Sequence, residues 1–263
     1  MKIIEKLGCR VDFASAPHER GLDKPNEDKI VIDEEKGIFI VLDGVTRVHA
    51  EYEEHPFESA ALKVGEIFME QAYDYIKNHI NDPDPKKILE GAVKVANEKI
   101  REYRSQRGLD QWVFYPSTLG ILSILRNSTL HYICVGDCIA ALLRGSSKIL
   151  FGRQFSLEAV DLHKVSKSER YDIYCNHPEN HLSYTVFNGD DEVNVGIEYS
   201  FIDLHEGDTL LLASDGIGNY IKYEKNVDLV TKTADEMISL SKKYDLQPYA
   251  DYADDKSIIK LSF

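Results

Sequence analysis

The sequence predicts an α+β fold in which two antiparallel sheets pack on each other with helices outside. Three observations carry this expectation. Strand-like runs, a pair of long helical patterns, six more strand-like runs, a further helical stretch and a closing strand follow one another along 263 residues, an order that suits sheets covered by helices. The strand-like runs are joined by short polar turns rather than by helices, which points to antiparallel pairing. No repeat, low-complexity tract or Pro/Gly/Ser-rich linker divides the chain, so residues 1–263 are expected to form one domain, at a length where a single sandwich is common.

Each element has its own signal. Residues 29–32 and 37–42 are β-branched and apolar runs separated by Asp33-Glu34-Glu35-Lys36, a hairpin pattern that ends on Asp43-Gly44. From Phe57 to Ile80 the apolar positions Ala60, Ala61, Val64, Ile67, Phe68, Ala72, Tyr75 and Ile76 follow helical spacing. Asn81-Asp82-Pro83-Asp84-Pro85 reads as a helix stop and restart, after which Ile88, Leu89, Ala92, Val93, Ala96, Ile100 and Tyr103 repeat the pattern. Residues 117–125, 129–135, 139–144 and 147–151 read as a meander of consecutive antiparallel strands turning at Arg126-Asn127-Ser128, Gly136-Asp137 and Gly145-Ser146. The polar, irregular stretch 152–192 is expected to form a lobe or flap over the scaffold. Strands at 199–204 and 208–214, helix over about 224–244 and a last strand at 257–263 complete the reading.

Composition narrows the function classes. With 31 Lys plus Arg against 45 Asp plus Glu the formal charge is −14, which argues against a nucleic-acid partner. No apolar run approaches the roughly 20 residues of a membrane span, and Met1-Lys2-Ile3-Ile4-Glu5 starts no signal-peptide pattern; the expectation is a cytoplasmic protein with no membrane partner. Cys9, Cys134, Cys138 and Cys175 form no CxxC pair and are read as reduced thiols, with Cys134 and Cys138 buried. His177 and His181 are separated by Pro178, which removes the helix that would make them a zinc pair, and Trp112 reads as a core anchor.

The chemistry-bearing feature is a set of acids at strand ends. Leu42-Asp43-Gly44, Ala213-Ser214-Asp215-Gly216 and Asp254-Asp255 each sit at the end or start of an apolar run, and Asn26-Glu27-Asp28 opens the first hairpin. Any single Asp-Gly is most simply a turn. Together, carboxylates from separate strand ends can converge on a hard divalent cation, with glycine allowing a backbone carbonyl to approach as a further ligand.

The ordered set Asn26-Glu27-Asp28, Asp43-Gly44, Ser117-Thr118, Val135-Gly136-Asp137, Ala213-Ser214-Asp215-Gly216 and Asp254-Asp255-Lys256-Ser257 resembles the metal-dependent protein phosphatases of the PP2C (PPM) family, in family order and over nearly the whole chain. The resemblance implies a four-layer α-β-β-α sandwich, a binuclear Mn²⁺ or Mg²⁺ centre and a phosphorylated protein as substrate. Carried over, Asp43 bridges the metals, the Gly44 carbonyl binds one, Asp215 and Asp254 complete the other, and Glu27 and Asp28 line the centre through water. Asp137 is the candidate ligand of a third ion. Ser117 and Thr118 read as structural.

The chain departs from the family pattern at named positions. Asp23 stands where a phosphate-binding Arg is common, and would repel a phosphate dianion. Val45 stands where a proton-donating His often follows Asp-Gly, while Arg47 and His49 lie just beyond it. Arg47 is the candidate phosphate anchor, as a planar bidentate donor, with His49 as a second candidate and Arg20 as the alternative anchor. Asp255 replaces the usual Asn and shapes its loop. Three functions therefore stay open: a serine/threonine protein phosphatase, a phosphatase of small phosphorylated metabolites, and a non-catalytic module that binds a phosphoprotein or another partner.

Overall fold

The computed structural model describes residues 2–4, 8–18, 25–45, 59–108, 116–152, 176, 185–191, 193, 197–245 and 254–263. Arg20, Asp23, Arg47, His49, Trp112, Cys175, His177, His181 and most of the 152–192 lobe lie outside the described residues.

The strands are β1 (Lys2–Ile4), β2 (Cys9–Ala16), β3 (Lys29–Asp33), β4 (Ile38–Val45), β5 (Ser117–Arg126), β6 (Thr129–Val135), β7 (Ile139–Arg144), β8 (Ser147–Phe151), β9 (Glu198–Asp203), β10 (Thr209–Ala213) and β11 (Lys256–Ser262). They form a six-stranded sheet in the order β1-β2-β11-β10-β7-β8 and a five-stranded sheet in the order β3-β4-β5-β6-β9. Every pairing is antiparallel. Helices α1 (Ala60–His79) and α2 (Pro85–Arg107) cover the five-stranded sheet, while α3 (Gly218–Tyr223), α4 (Asn226–Thr231) and α5 (Ala234–Ser241) lie on the six-stranded one. The α-β-β-α layering follows. No described helix is long and apolar enough to cross a membrane.

The helix pair forms as its spacing predicts. Val64, Phe68, Ala72 and Ile76 of α1 and Ile88, Leu89, Ala92, Val93, Ala96 and Ile100 of α2 are buried on one face each. Ser59 caps α1, Asp84 caps α2 through the Lys87 amide, Pro85 takes the first turn, and Gly108 closes α2 with φ +66°.

Two expectations are corrected. The four strands from β5 to β8 are not one meander: β5–β6 is a hairpin of one sheet and β7–β8 a hairpin of the other. Residues 136–138 carry the chain across the sandwich, because a few extended residues suffice to span the roughly 10 Å between stacked sheets. The helical stretch 224–244 is two short helices, α4 and α5, followed by a single 3₁₀ turn. Lys225 and Lys232 interrupt the helical backbone with ψ 147° and 146°, and Thr233-x-x-Glu236 restarts it as a capping box. Strands β1 and β2 come before the first strand the sequence predicts.

Cys9, Cys134 and Cys138 are buried and free. Burial pushes the Cys9 thiol up to about 11, with Glu34 adding to the shift, and pushes the Cys134 and Cys138 thiols up as well. They act as packing groups rather than nucleophiles.

Candidate metal centre

Strand register gathers the acids at one end of the sandwich. Ala213 at the end of β10 faces Ile139 at the start of β7 and Ile258 near the start of β11, and Lys256 faces Ala16 at the end of β2. In the other sheet Leu42 faces Lys29, and Asp43 faces Leu119. Thus Asp28, Asp43, Asp137, Asp215 and Asp254 sit in, or next to, connections that leave the same end of both sheets. The carboxylates of Asp43, Asp137 and Asp215 offer oxygen atoms within 4.8 Å of one another.

Two glycines make this approach possible. A Cβ on Gly44 would lie 2.6 Å from Glu27 Cβ and 2.9 Å from the Glu27 carbonyl oxygen. On Gly216 it would lie 1.9 Å from the Asp255 carbonyl oxygen. Both Asp-Gly pairs therefore serve close packing of backbones around the acids, and the plain-turn reading of them does not hold.

Neighbouring polar groups hold the acids in place. The Ser214 hydroxyl donates to Asp28 Oδ2 at 2.6 Å and accepts from the Ser257 amide at 2.9 Å. The Thr118 hydroxyl donates to the Asp43 carbonyl at 2.7 Å, and Thr118 pairs through its backbone with Phe187, tying the end of the 152–192 stretch to the centre. Glu27, 1 % exposed, accepts from the hydroxyl of Ser59, the cap of α1. Asp28 Oδ1 and Asp215 Oδ1 are buried without a hydrogen-bond partner among the described residues.

Electrostatics set the demand for a cation. Burial pushes the Asp28 carboxyl up to about 7, against the bond from Ser214. Asp43 is raised well above the usual carboxylate range by burial and then by Asp215, Asp28, Asp254 and Asp137. Asp215 is raised by burial and by Asp137 and Asp254. Carboxylates so placed cannot all carry charge without a counter-ion. The donor set fits a hard divalent cation: it is all oxygen, it converges, and two of its buried oxygens are unsatisfied.

A stability test follows from these shifts. A folded-state pKa of about 7 for Asp28, against about 4 in the unfolded chain, means that the folded protein holds the proton more tightly. Its contribution is thus lost as pH rises from about 4 through about 7. Asp43 and Asp215 act in the same direction. His131, lowered by burial, opposes this weakly as pH falls. Metal-free protein should melt several degrees higher at about pH 6 than at about pH 8, and saturating Mn²⁺ should narrow the gap. A metal-free Tm that rises from pH 6 to pH 8 would contradict the placement of the acids.

Of the residues singled out from sequence, Asp43, Asp137 and Asp215 converge, and Asp28 and Asp254 act on them electrostatically. Glu27 packs against Gly44. The roles of Ser59 and Ser214 are additions. Ser214 had a signal in standing directly before Asp215, and Ser59 had one as a helix cap.

No protein-family model matches the sequence, and no curated protein matches it by sequence comparison. Solved structures do. The serine/threonine phosphatase PstP/Ppp of Mycobacterium tuberculosis is 17% identical over 97% of this chain and 98% of that chain, with a TM-score of 0.66. The PstP catalytic domain in complex with two manganese ions is 17% identical over 96% and 99%, with a TM-score of 0.60. The PPM Ser-Thr phosphatase MsPP of Mycobacterium smegmatis, in complex with cacodylate, is 15% identical over 97% and 98%, with a TM-score of 0.61. The chain has the fold of these phosphatases over nearly its whole length.

Proposed function

We propose that this protein is a metal-dependent phosphomonoester hydrolase acting on phosphoserine or phosphothreonine in proteins. The observation that carries the reading is the convergence of Asp43, Asp137 and Asp215 within 4.8 Å, in a fold shared with serine/threonine phosphatases. Asp43, Asp215, Asp254 and the Gly44 carbonyl are the proposed ligands of two Mn²⁺ or Mg²⁺ ions, Asp137 of a third, and Glu27 and Asp28 line the centre.

Such ions supply Lewis acidity there, lowering the pKa of a water towards about 7 and offsetting phosphoryl charge. The chain's own groups do the rest. Ser214 fixes Asp28 through Oδ2, which leaves Oδ1 to accept a hydrogen bond from water in the centre. Thr118 fixes the backbone of Asp43, so the carboxylate stays in place as phosphate enters. Arg47 is the proposed planar contact to the phosphoryl oxygens, since Asp23 cannot serve, and His49 is the nearby proton-bearing group.

Release of inorganic phosphate from a phosphothreonine peptide with Mn²⁺, abolished by EDTA, is the expected result; release that persists in EDTA would overturn the reading. Arg47→Ala should leave Mn²⁺ binding intact and lower kcat/KM on the order of ten- to a hundredfold, as for loss of one charge-assisted bidentate contact. Unchanged kinetics would pass the role to Arg20. Asp23 and Val45 favour a second reading, a phosphoprotein-binding module without turnover. Mn²⁺ binding without phosphate release from any phosphopeptide or phosphometabolite would support it.

A further inference from the structure

Strand β2 ends at Ala16 in one sheet and β3 starts at Lys29 in the other, both at the end of the sandwich that holds the acids. His18, just after β2, and Glu27, just before β3, meet a single side chain. The His18 amide donates to Asp255 Oδ1 at 2.8 Å, and the Glu27 amide donates to Asp255 Oδ2 at 2.8 Å. Asp255 is 3 % exposed and sits just before β11. Its own amide donates to Asp254 Oδ1 at 2.9 Å, and its carbonyl lies against Gly216.

We infer that Asp255 is a positioning residue whose two carboxylate oxygens clamp the backbone at His18 after β2 and at Glu27 before β3, and so hold Glu27 and Asp28 against Asp43 and Asp215. The inference rests on the phosphatase reading for its kinetic consequence, but not for the clamp itself. Both partners are backbone N–H donors, so the site requires two acceptors. A carboxylate supplies them; an amide supplies one and turns its own N–H₂ group towards the other donor. The cost is one more negative charge beside Asp28, whose carboxyl Asp255 helps to raise. A residue that merely filled space would not need that charge. Through Gly216 the same residue also touches the connection that carries Asp215, and its amide holds the neighbouring Asp254, so one clamp sets the spacing of several ligands at once.

Amide hydrogen exchange and kinetics on the full chain test this. In the wild type, the His18 and Glu27 amides should be protected to a degree similar to the amides of β11; fast exchange at both overturns the clamp, and this arm stands even if a variant fails to fold. In Asp255→Asn at least one of these two amides should exchange on the order of ten times faster while β5 and α2 keep their protection, and kcat with Mn²⁺ should fall about ten- to a hundredfold with KM changed less than about threefold. Uniform loss of protection would reduce Asp255 to a packing role, and wild-type exchange and kcat in the variant would remove the role altogether. Absence of turnover in the wild type would instead count against the phosphatase reading, leaving the exchange result to decide the clamp.

Discussion

Asp43→Asn should abolish Mn²⁺-dependent phosphate release, by about a thousandfold or more, since the substitution removes the charge at the centre of the acidic cluster rather than a group at its edge. The same substitution should stabilise the metal-free protein. Asp43 is raised by burial and by four neighbouring carboxylates, so at about pH 8 the folded state carries an uncompensated cost that an isosteric amide does not. A gain of about 1–3 kcal/mol corresponds to a Tm higher by several degrees at this chain length. Mn²⁺ should raise the Tm of the wild type and leave that of the variant nearly unchanged, because only a ligand that binds the folded state shifts the equilibrium. Thermal melts with and without Mn²⁺, run beside a phosphate-release assay, check both halves. A variant that loses activity and also loses metal-free stability would mean that Asp43 is a structural acid.

Gly216→Ala should be the most damaging single methyl group near the site. The added Cβ would stand 1.9 Å from the Asp255 carbonyl oxygen, a backbone atom that cannot swing aside like a side-chain tip. Either β10 or the segment before β11 must move, at about 3 kcal/mol or more, which lowers the Tm by roughly 6–12 °C. Asp215 and Asp254 flank the contact, so Mn²⁺ affinity should fall as well. Urea unfolding and Mn²⁺ titration of the variant measure the two effects; a shift below about 1 kcal/mol would show that the two backbones are not held together.

Much of this was legible in the sequence because the acids follow strongly apolar runs. Ile38 to Leu42 and Leu210 to Ala213 are buried throughout, and runs of that kind mark strands whatever their pairing. Strand β2 was not legible. Its buried residues Cys9, Val11 and Ala14 are small, Phe13 is 51 % exposed, and Asp12 is taken up in capping the Ala234 amide. The crossing at 136–138 was misread as a hairpin because the flanking residues Tyr132–Val135 and Ile139–Leu143 are buried without alternation, so the pattern there carries no sign of which sheet each strand joins. The close approaches of Gly44 and Gly216 depend on segments far apart in sequence, and local turn chemistry cannot show them. The clamp at Asp255 is of the same kind: its two partners are backbone amides, which have no residue type to read. Arg47 and His49 lie outside the described residues, and the part proposed for them rests on chemistry and sequence position.

Calorimetric titration of the metal-free 263-residue chain with Mn²⁺ tests the central claim most directly. The acidic centre should bind at least two ions per chain, with proton release at about pH 6.5 as Asp28 and its neighbours give up the protons that burial keeps on them. A folded protein that takes up no Mn²⁺ would contradict the account.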